Sequence, residues 1–321
     1  MSIVFFNVIK MKYFCNIFVI FTFSLFYVII VTLGVIDMIK LVASDLDGTI
    51  IDKNNYIYEN NFNAIKDLNN HNMNFVICTG KTYPISQRMC SKINASYGIF
   101  GNGSQIIDLR TGKEIYKKLL PKADILTCID IAKKHNLHVH VYTDKEVISE
   151  ELLYLDFRNY KLQTSTKSEV SMEFSIVDDI RKYVASHDVQ ICKLVISSNS
   201  STQNAKAEIL ANLDVSATTI RKFGMYKDFI INKEYEYIDV TPKNVNKNSA
   251  LEILGNYLNI KPNEMLTIGD NMNDFDMVKN AGIGVAVANA YDDLKKVANY
   301  TTINPVEKGG FAEAVYKFVK F

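Results

Sequence analysis

The chain has 321 residues, with 36 Lys+Arg against 35 Asp+Glu, 48% hydrophobic and 22% charged residues. That length predicts roughly two domains, and the composition excludes a disordered chain. Near-neutral charge argues against a nucleic-acid binder, and five scattered cysteines without a C-x-x-C pair exclude a zinc ribbon and argue against a disulfide scaffold.

Residues 13–36 carry no charge, and Lys10 and Lys12 precede them. A helix needs about 20 apolar residues to cross a membrane, so this stretch is long enough to be an anchor, and a cleaved signal peptide is a second reading. A third is favoured: Met38 opens a complete start to a soluble enzyme, with residues 1–37 outside the fold. Between Ile36 and a strand beginning at Ile39 almost no linker remains, whereas domain boundaries usually fall in flexible linkers. The expected location is then cytoplasmic, with membrane association only if residues 13–36 are an anchor.

Ile39–Ser44, Asn74–Cys78 and Tyr97–Phe100 are short apolar runs that predict strands buried on both faces, separated by helical patterns over Glu59–Asn70 and Ile85–Ile93. This predicts a parallel α/β sheet. After about residue 105 the pattern changes. A hairpin is predicted over Gln105–Asp108 and Glu114–Lys117, a helix over Ala123–Asn136, and a half-exposed strand over Leu137–Thr143. Further elements are Ile180–Ser186 and Thr202–Asn212 (helices) and Ile191–Ser198, Val215–Lys222, Phe229–Asn232 and Tyr237–Val240 (strands). These predict a separate α+β module with an antiparallel sheet covered on one side. The α/β pattern resumes with a helix over Asn248–Leu258 and a strand over Glu264–Ile268, and continues to a helix over Gly310–Val319. The expected boundaries are 1–37 (apolar segment), 38–115 (core, first part), 116–240 (inserted module) and 241–321 (core, second part).

The densest chemical signal is Asp45-Leu46-Asp47-Gly48-Thr49, directly after the first strand. Ligands of open α/β sheets bind at the carboxyl ends of strands. Such a turn can aim Asp45 at a phosphorus atom while Asp47 reaches the leaving-group oxygen. Gly48 permits the tight backbone, and Thr49 can bond the turn. Gly269-Asp270-Asn271-Met272-Asn273-Asp274 follows another strand and supplies hard oxygen ligands for Mg²⁺. Thr79-Gly80-Lys81 offers a hydroxyl and backbone N–H groups to phosphate oxygens. Taken singly, these are also a turn and two helix caps. Lys247 alone reads as a solvated lysine. Two carboxylates and a phosphate dianion in one cleft need cations, however, and Lys247 and Mg²⁺ meet that need.

Together the four motifs resemble those of the haloacid dehalogenase-like superfamily. The insert between Thr79 and Lys247 resembles the cap of its Cof-type phosphatases, as do Phe100–Ser104, Val245–Lys247, Gly269–Met277 and Gly284–Ala290. The resemblance covers Met38 to the C-terminus. It implies a Rossmann-like parallel-sheet core with an inserted α+β cap, and an aspartyl-phosphate mechanism. By it, Asp45 is the nucleophile and Asp47 the general acid and base. Mg²⁺ is held by Asp45, the Asp47 carbonyl and Asp270, with Asp274 orienting or bonding through water. Thr79, Gly80 and Lys247 bind the phosphoryl group, and Asn273 bonds the phosphate or orients its neighbours. Three positions depart from the family pattern. Lys81 stands where an Arg is frequent, Asn248 where a Gly commonly follows the lysine, and Glu307-Lys308-Gly309-Gly310 where an Asp-Gly pair is usual.

The insert is chemically quieter. Tyr142, Arg158 and Lys193 are within reach of a substrate but read as ordinary sheet or surface residues, and His138 and His140 read as structural. The expected function is a Mg²⁺-dependent phosphatase acting on a small phosphorylated metabolite, a sugar phosphate or a phosphorylated cofactor. The alternatives are a phosphomutase using the same intermediate and a non-catalytic phosphometabolite-binding protein.

Overall fold

The computed structural model describes residues 39–151, 173–197, 202–226 and 229–321. The apolar stretch 13–36 and Arg158 lie outside these residues. Among the described residues no helix is long and apolar enough to cross a membrane.

In chain order the strands are β1 (Leu41–Ser44), β2 (Asn74–Cys78), β3 (Tyr97–Phe100), β4 (Gln105–Asp108) and β5 (Lys113–Lys117). Next come β6 (His138–Thr143), β7 (Glu146–Ser149), β8 (Glu173–Ile176), β9 (Ile191–Ser197), β10 (Val215–Tyr226) and β11 (Phe229–Pro242). The last three are β12 (Met265–Gly269), β13 (Ile283–Ala286) and β14 (Tyr300–Thr301). They form an eight-stranded sheet, β14-β13-β12-β1-β2-β3-β4-β5, and a six-stranded sheet, β10-β11-β9-β6-β7-β8. Both are mixed.

In the first sheet the pairings from β14 to β3 are parallel, and the hairpin strands β4 and β5 are antiparallel. β1 is central: Leu41 lies beside Met265 on one side and Asn74 on the other. All four β1 residues are buried, because helices cover the sheet. Ala64, Ile65 and Leu68 of the helix Glu59–Asn70 share this core with Leu251 and Leu254 of the helix Lys247–Leu258, and with Phe311 and Val315 of the helix Gly310–Phe318. Unbroken apolar strands need cover on both faces, and that is what places their ends, not their sides, at the surface.

The second sheet departs from expectation in three ways. β7 and β8 pair in parallel, so the sheet is not purely antiparallel. A parallel pair needs a crossover connection, and the sequence pattern showed neither strand. The two strands expected over Phe229–Asn232 and Tyr237–Val240 are one strand, β11. Lys233-Glu234-Tyr235-Glu236 interrupts the apolar pattern, but pairing with β10 continues on both sides of a register shift there, Glu234 beside Phe223 and Ile231 beside Gly224. Finally, β6 is not half-exposed, since Val139 to Thr143 are all buried. Val139 and Val141 pack with Ile125 and Ile129 of the helix Lys122–Lys134. Tyr142, on the opposite face, packs in a cluster with Ile85 of the helix Tyr83–Ile93. Alternation of polar and apolar residues therefore marks two kinds of cover here, not one wet face. His140 is fully buried, and burial first, then His138, pushes its imidazole down to about 3, so the ring is neutral.

Candidate active site

The chain turns as soon as β1 ends. Gly48 N–H donates to the Ile51 carbonyl (2.8 Å), and Ile50 and Ile51 N–H both donate to the Leu46 carbonyl (3.0 Å). Gly48 has φ +83°, and a Cβ there would collide with Asp270 Oδ2. Only glycine combines that backbone with so close an approach. Asn289 Nδ2 braces the Gly48 carbonyl at 2.8 Å. Thr49 does not bond the turn as expected: it is fully buried, and its hydroxyl has no partner among the described residues.

Asp45, at the carboxyl end of β1, is 5% exposed. Lys247 opens the helix Lys247–Leu258 behind an Asn246 cap, whose side chain accepts from Ser249 N–H at 2.8 Å. The Lys247 side chain is wholly buried. Its ammonium donates to Asp45 Oδ1 at 2.5 Å and to Asp274 Oδ1 at 2.6 Å. The other Asp274 oxygen accepts the N–H groups of Asp270 and Asn271, both at 3.0 Å. Asp274 is thus fixed on both oxygens and holds Lys247 in place. Asn248, the departure beside Lys247, bonds Glu252 on the solvent side at 2.7 Å.

Asp270 differs from its neighbours. Its carboxylate accepts no hydrogen bond from any described residue. Burial, then Asp45 and Asp274, raise its pKa well above the carboxylate range. Burial first raises Asp45 as well, to about 7, with Lys247 opposing and Asp274 and Asp47 adding to the rise. Burial would lower Lys247, but Asp274 and Asp45 more than offset it and keep the ammonium charged. One lysine therefore faces three carboxylates whose ligand atoms lie within 4.8 Å of one another, the only such group among the described residues. Three hard oxygen donors with an uncompensated charge fit a divalent cation.

Asp47 lies outside that group of three. Its carboxylate meets Lys81 Nζ at 2.6 Å, and both side chains are partly exposed. Thr79 is buried, and its hydroxyl accepts from Lys81 N–H at 3.1 Å. Gly80 packs against the Asn102 amide, and Asn102 Oδ1 accepts from Asn273 Nδ2 at 3.0 Å. The structure thus gathers Asp45, Lys247, Asp270 and Asp274 at one centre, with Asp47–Lys81 and Thr79–Gly80–Asn273 as adjoining groups. A cleft of about 320 Å³ opens beside them, lined by Asn102, Lys247 and Asn273 on one side and Ser216, Thr218 and Asp239 on the other.

Three participants near this cleft were not among the candidates. Asn102 sits in the Phe100–Ser104 motif without an implied role, Lys193 reads as an ordinary sheet residue, and Asp239 has no local signal. In the structure Lys193 Nζ bonds both Asp239 oxygens, at 3.1 and 3.0 Å.

A family model of haloacid dehalogenase-like hydrolases matches residues 42–315. The chain belongs to this family. It is a haloacid dehalogenase-type phosphatase, a phosphoric monoester hydrolase. It is similar to the putative phosphatase YxeH of Bacillus subtilis (strain 168), 25% identical over 88% of this chain and 99% of that protein. It is also similar to the 5-amino-6-(5-phospho-D-ribitylamino)uracil phosphatase YcsE of the same organism, 27% identical over 88% and 96%. Its fold matches a solved haloacid dehalogenase-like hydrolase from B. subtilis with a TM-score of 0.72, at 19% identity over 88% and 100% of the two chains.

Proposed function

We propose that this phosphatase hydrolyses a small phosphorylated metabolite with a polyol or sugar leaving group, through an aspartyl-phosphate on Asp45. The observation that carries the reading is the Asp45–Lys247–Asp274 chain at the ends of β1 and β12, with the undonated Asp270 beside it. In this reading the first sheet and its helices (38–115 and 241–321) form the catalytic core, and residues 116–240 form the cap.

Asp45 attacks phosphorus. The bond from Asp45 to phosphorus forms as the bond to the leaving oxygen breaks, and Asp47 delivers its proton to that oxygen. Asp47 then takes a proton from water, whose oxygen attacks the phosphorus. Inorganic phosphate leaves and the Asp45 carboxylate is restored. Lys247 holds Asp45 Oδ1, so the rotamer is fixed before substrate arrives. Thr79 and Gly80 bind phosphoryl oxygens from one side and Asn273 from another. Asp45, Asp270 and the Asp47 carbonyl would hold Mg²⁺, with Asp274 orienting the group. Bound there, the ion offsets charge on the carboxylates and the phosphoryl oxygens.

The cleft supports the leaving-group class. Hydroxyls and amides (Ser216, Thr218, Thr241, Asn102, Asn246) dominate its polar lining, and among the described residues no aromatic ring lines it. A flat cofactor ring would gain little there, whereas a chain of hydroxyls finds partners. YcsE, by its name, acts on a phosphorylated ribityl chain. The test is Mg²⁺-dependent phosphate release from p-nitrophenyl phosphate, followed by a metabolite panel ranked by kcat/KM. Sugar and polyol phosphates should lead the ranking. Equal rates in the wild type and Asp45→Asn would end the catalytic reading.

A further inference from the structure

Asn102 touches both sheets. It sits in a turn after β3 with φ 54° and ψ 33°, and its N–H donates to the Thr79 carbonyl at 3.1 Å. Its Nδ2 donates to Asp239 Oδ2 on β11, and its Oδ1 accepts from Asn273. Asp239 is buried and gripped by the buried Lys193 from β9. The Lys193 ammonium also stands 4.8 Å from the centroid of the Tyr142 ring.

This chain of bonds has a direction. An ionised carboxylate only accepts, so Asn102 must turn its NH₂ toward Asp239. Its carbonyl then faces Asn273, which must turn its own NH₂ toward Asn102. The second N–H of that same nitrogen remains for a ligand in the cleft that Asn273 and Lys247 line. With either amide reversed, a carbonyl oxygen would meet the phosphate oxygens instead. Stability alone does not call for such a pair, since apolar residues of similar volume often replace buried ion pairs without loss. A fully satisfied polar network does fix one arrangement.

We propose that Lys193 and Asp239 are positioning residues for phosphate recognition, which act through Asn102 to hold the Asn273 amide with an N–H toward the phosphoryl group. This rests on the contact between Asn273 and phosphate proposed above.

The test compares Asn273→Ala, Asp239→Asn, Lys193→Arg and the apolar double variant Lys193→Met/Asp239→Leu. Each is assayed with Mg²⁺ for kcat and KM on p-nitrophenyl phosphate, for inhibition by inorganic phosphate, and for Tm. Asp239→Asn should raise KM and the phosphate inhibition constant about tenfold, the worth of one hydrogen bond to a charged group, with kcat changed much less. Lys193→Arg, which keeps a cation on Asp239, should retain most of the wild-type affinity. The double variant should keep its Tm and lose the same affinity, an effect that a merely structural role would not produce. Should that variant not fold, the contrast between Asp239→Asn and Lys193→Arg decides. Wild-type phosphate affinity in folded Asp239→Asn, with affinity lost in Asn273→Ala, would overturn the relay alone. Wild-type affinity in Asn273→Ala would instead remove the contact beneath it.

Discussion

Among the described residues two buried lysines hold carboxylates, Lys193 on β9 and Lys247 at the start of the helix Lys247–Leu258. Lys193 faces one carboxylate, Asp239, and bonds both of its oxygens. Lys247 bonds one oxygen of Asp45 and one of Asp274, and Asp270 stands beside them without a donor. The first pair is balanced and its hydrogen bonds are made. The second centre sets three carboxylates against one ammonium beside a cleft that Lys247 lines. Burial of an ion does not by itself mark a reactive site. A shortfall of counter-charge does, because a proton or a bound cation must supply the rest.

The sharpest way to break this contrast is at the unbalanced centre. Asp45→Asn should lower the rate on p-nitrophenyl phosphate by roughly 10⁴-fold or more, as expected when a nucleophile is removed. A smaller loss, measured with burst kinetics for the phosphoenzyme, would move the nucleophile elsewhere. Lys247→Met leaves buried carboxylates unpaired and should cost about 3–5 kcal/mol in urea unfolding without Mg²⁺. Added Mg²⁺ should recover part of that loss. Gly48→Ala forces a Cβ onto Asp270 Oδ2 at a positive φ. It should cost roughly 1–3 kcal/mol and raise the Mg²⁺ concentration needed for half-maximal activity.

The pH dependence sharpens the comparison further. Burial raises Asp45 from 3.8 to about 7 in the folded, metal-free protein. Its stabilising contribution is therefore complete below 3.8 and is lost as pH rises through about 7. Without Mg²⁺, Tm should fall across that window. The increase in Tm on adding Mg²⁺ should grow with pH over the same range, as the cation replaces the proton. A Mg²⁺ effect independent of pH would separate the metal from Asp45. The smallest effect is expected at the Asp47–Lys81 pair, where both side chains are about a third exposed. Lys81→Met should change stability by less than about 1 kcal/mol and alter the rate only a few-fold, as steady-state kinetics would show.

The unbalanced centre was legible in sequence because strand and motif coincide there. LVAS runs directly into Asp45 and MLTIG into Asp270, so burial of the strand delivers each carboxylate to the sheet edge. The register Ser44↔Ile268 then sets the two edges side by side. The contacts of Asp274 were less visible. Asp274 engages Lys247 with one oxygen and backbone N–H groups with the other, which no spacing rule reveals. Lys193 and Asp239 are 46 residues apart and meet only because β9 pairs with β11. In sequence each sits in an alternating strand, where a polar residue reads as solvent-facing. β7 (EVIS) and β8 (EFSI) were unreadable because each has only two apolar residues after a glutamate, without the unbroken apolar run that marks β2 (NFVIC).

Cys78 completes β2 one residue before Thr79, and it is wholly buried, as Cys90, Cys128 and Cys192 nearly are. Burial pushes the Cys90 and Cys128 thiols up to about 12 and Cys192 up to about 11, and it raises Cys78 further still. Thiolate is the form that oxidants and alkylating reagents attack. These four cysteines are thus shielded both sterically and by protonation. A thiol stands next to the loop proposed to bind phosphate, yet the centre around Asp45 should keep working through oxidative conditions that silence enzymes with an exposed cysteine.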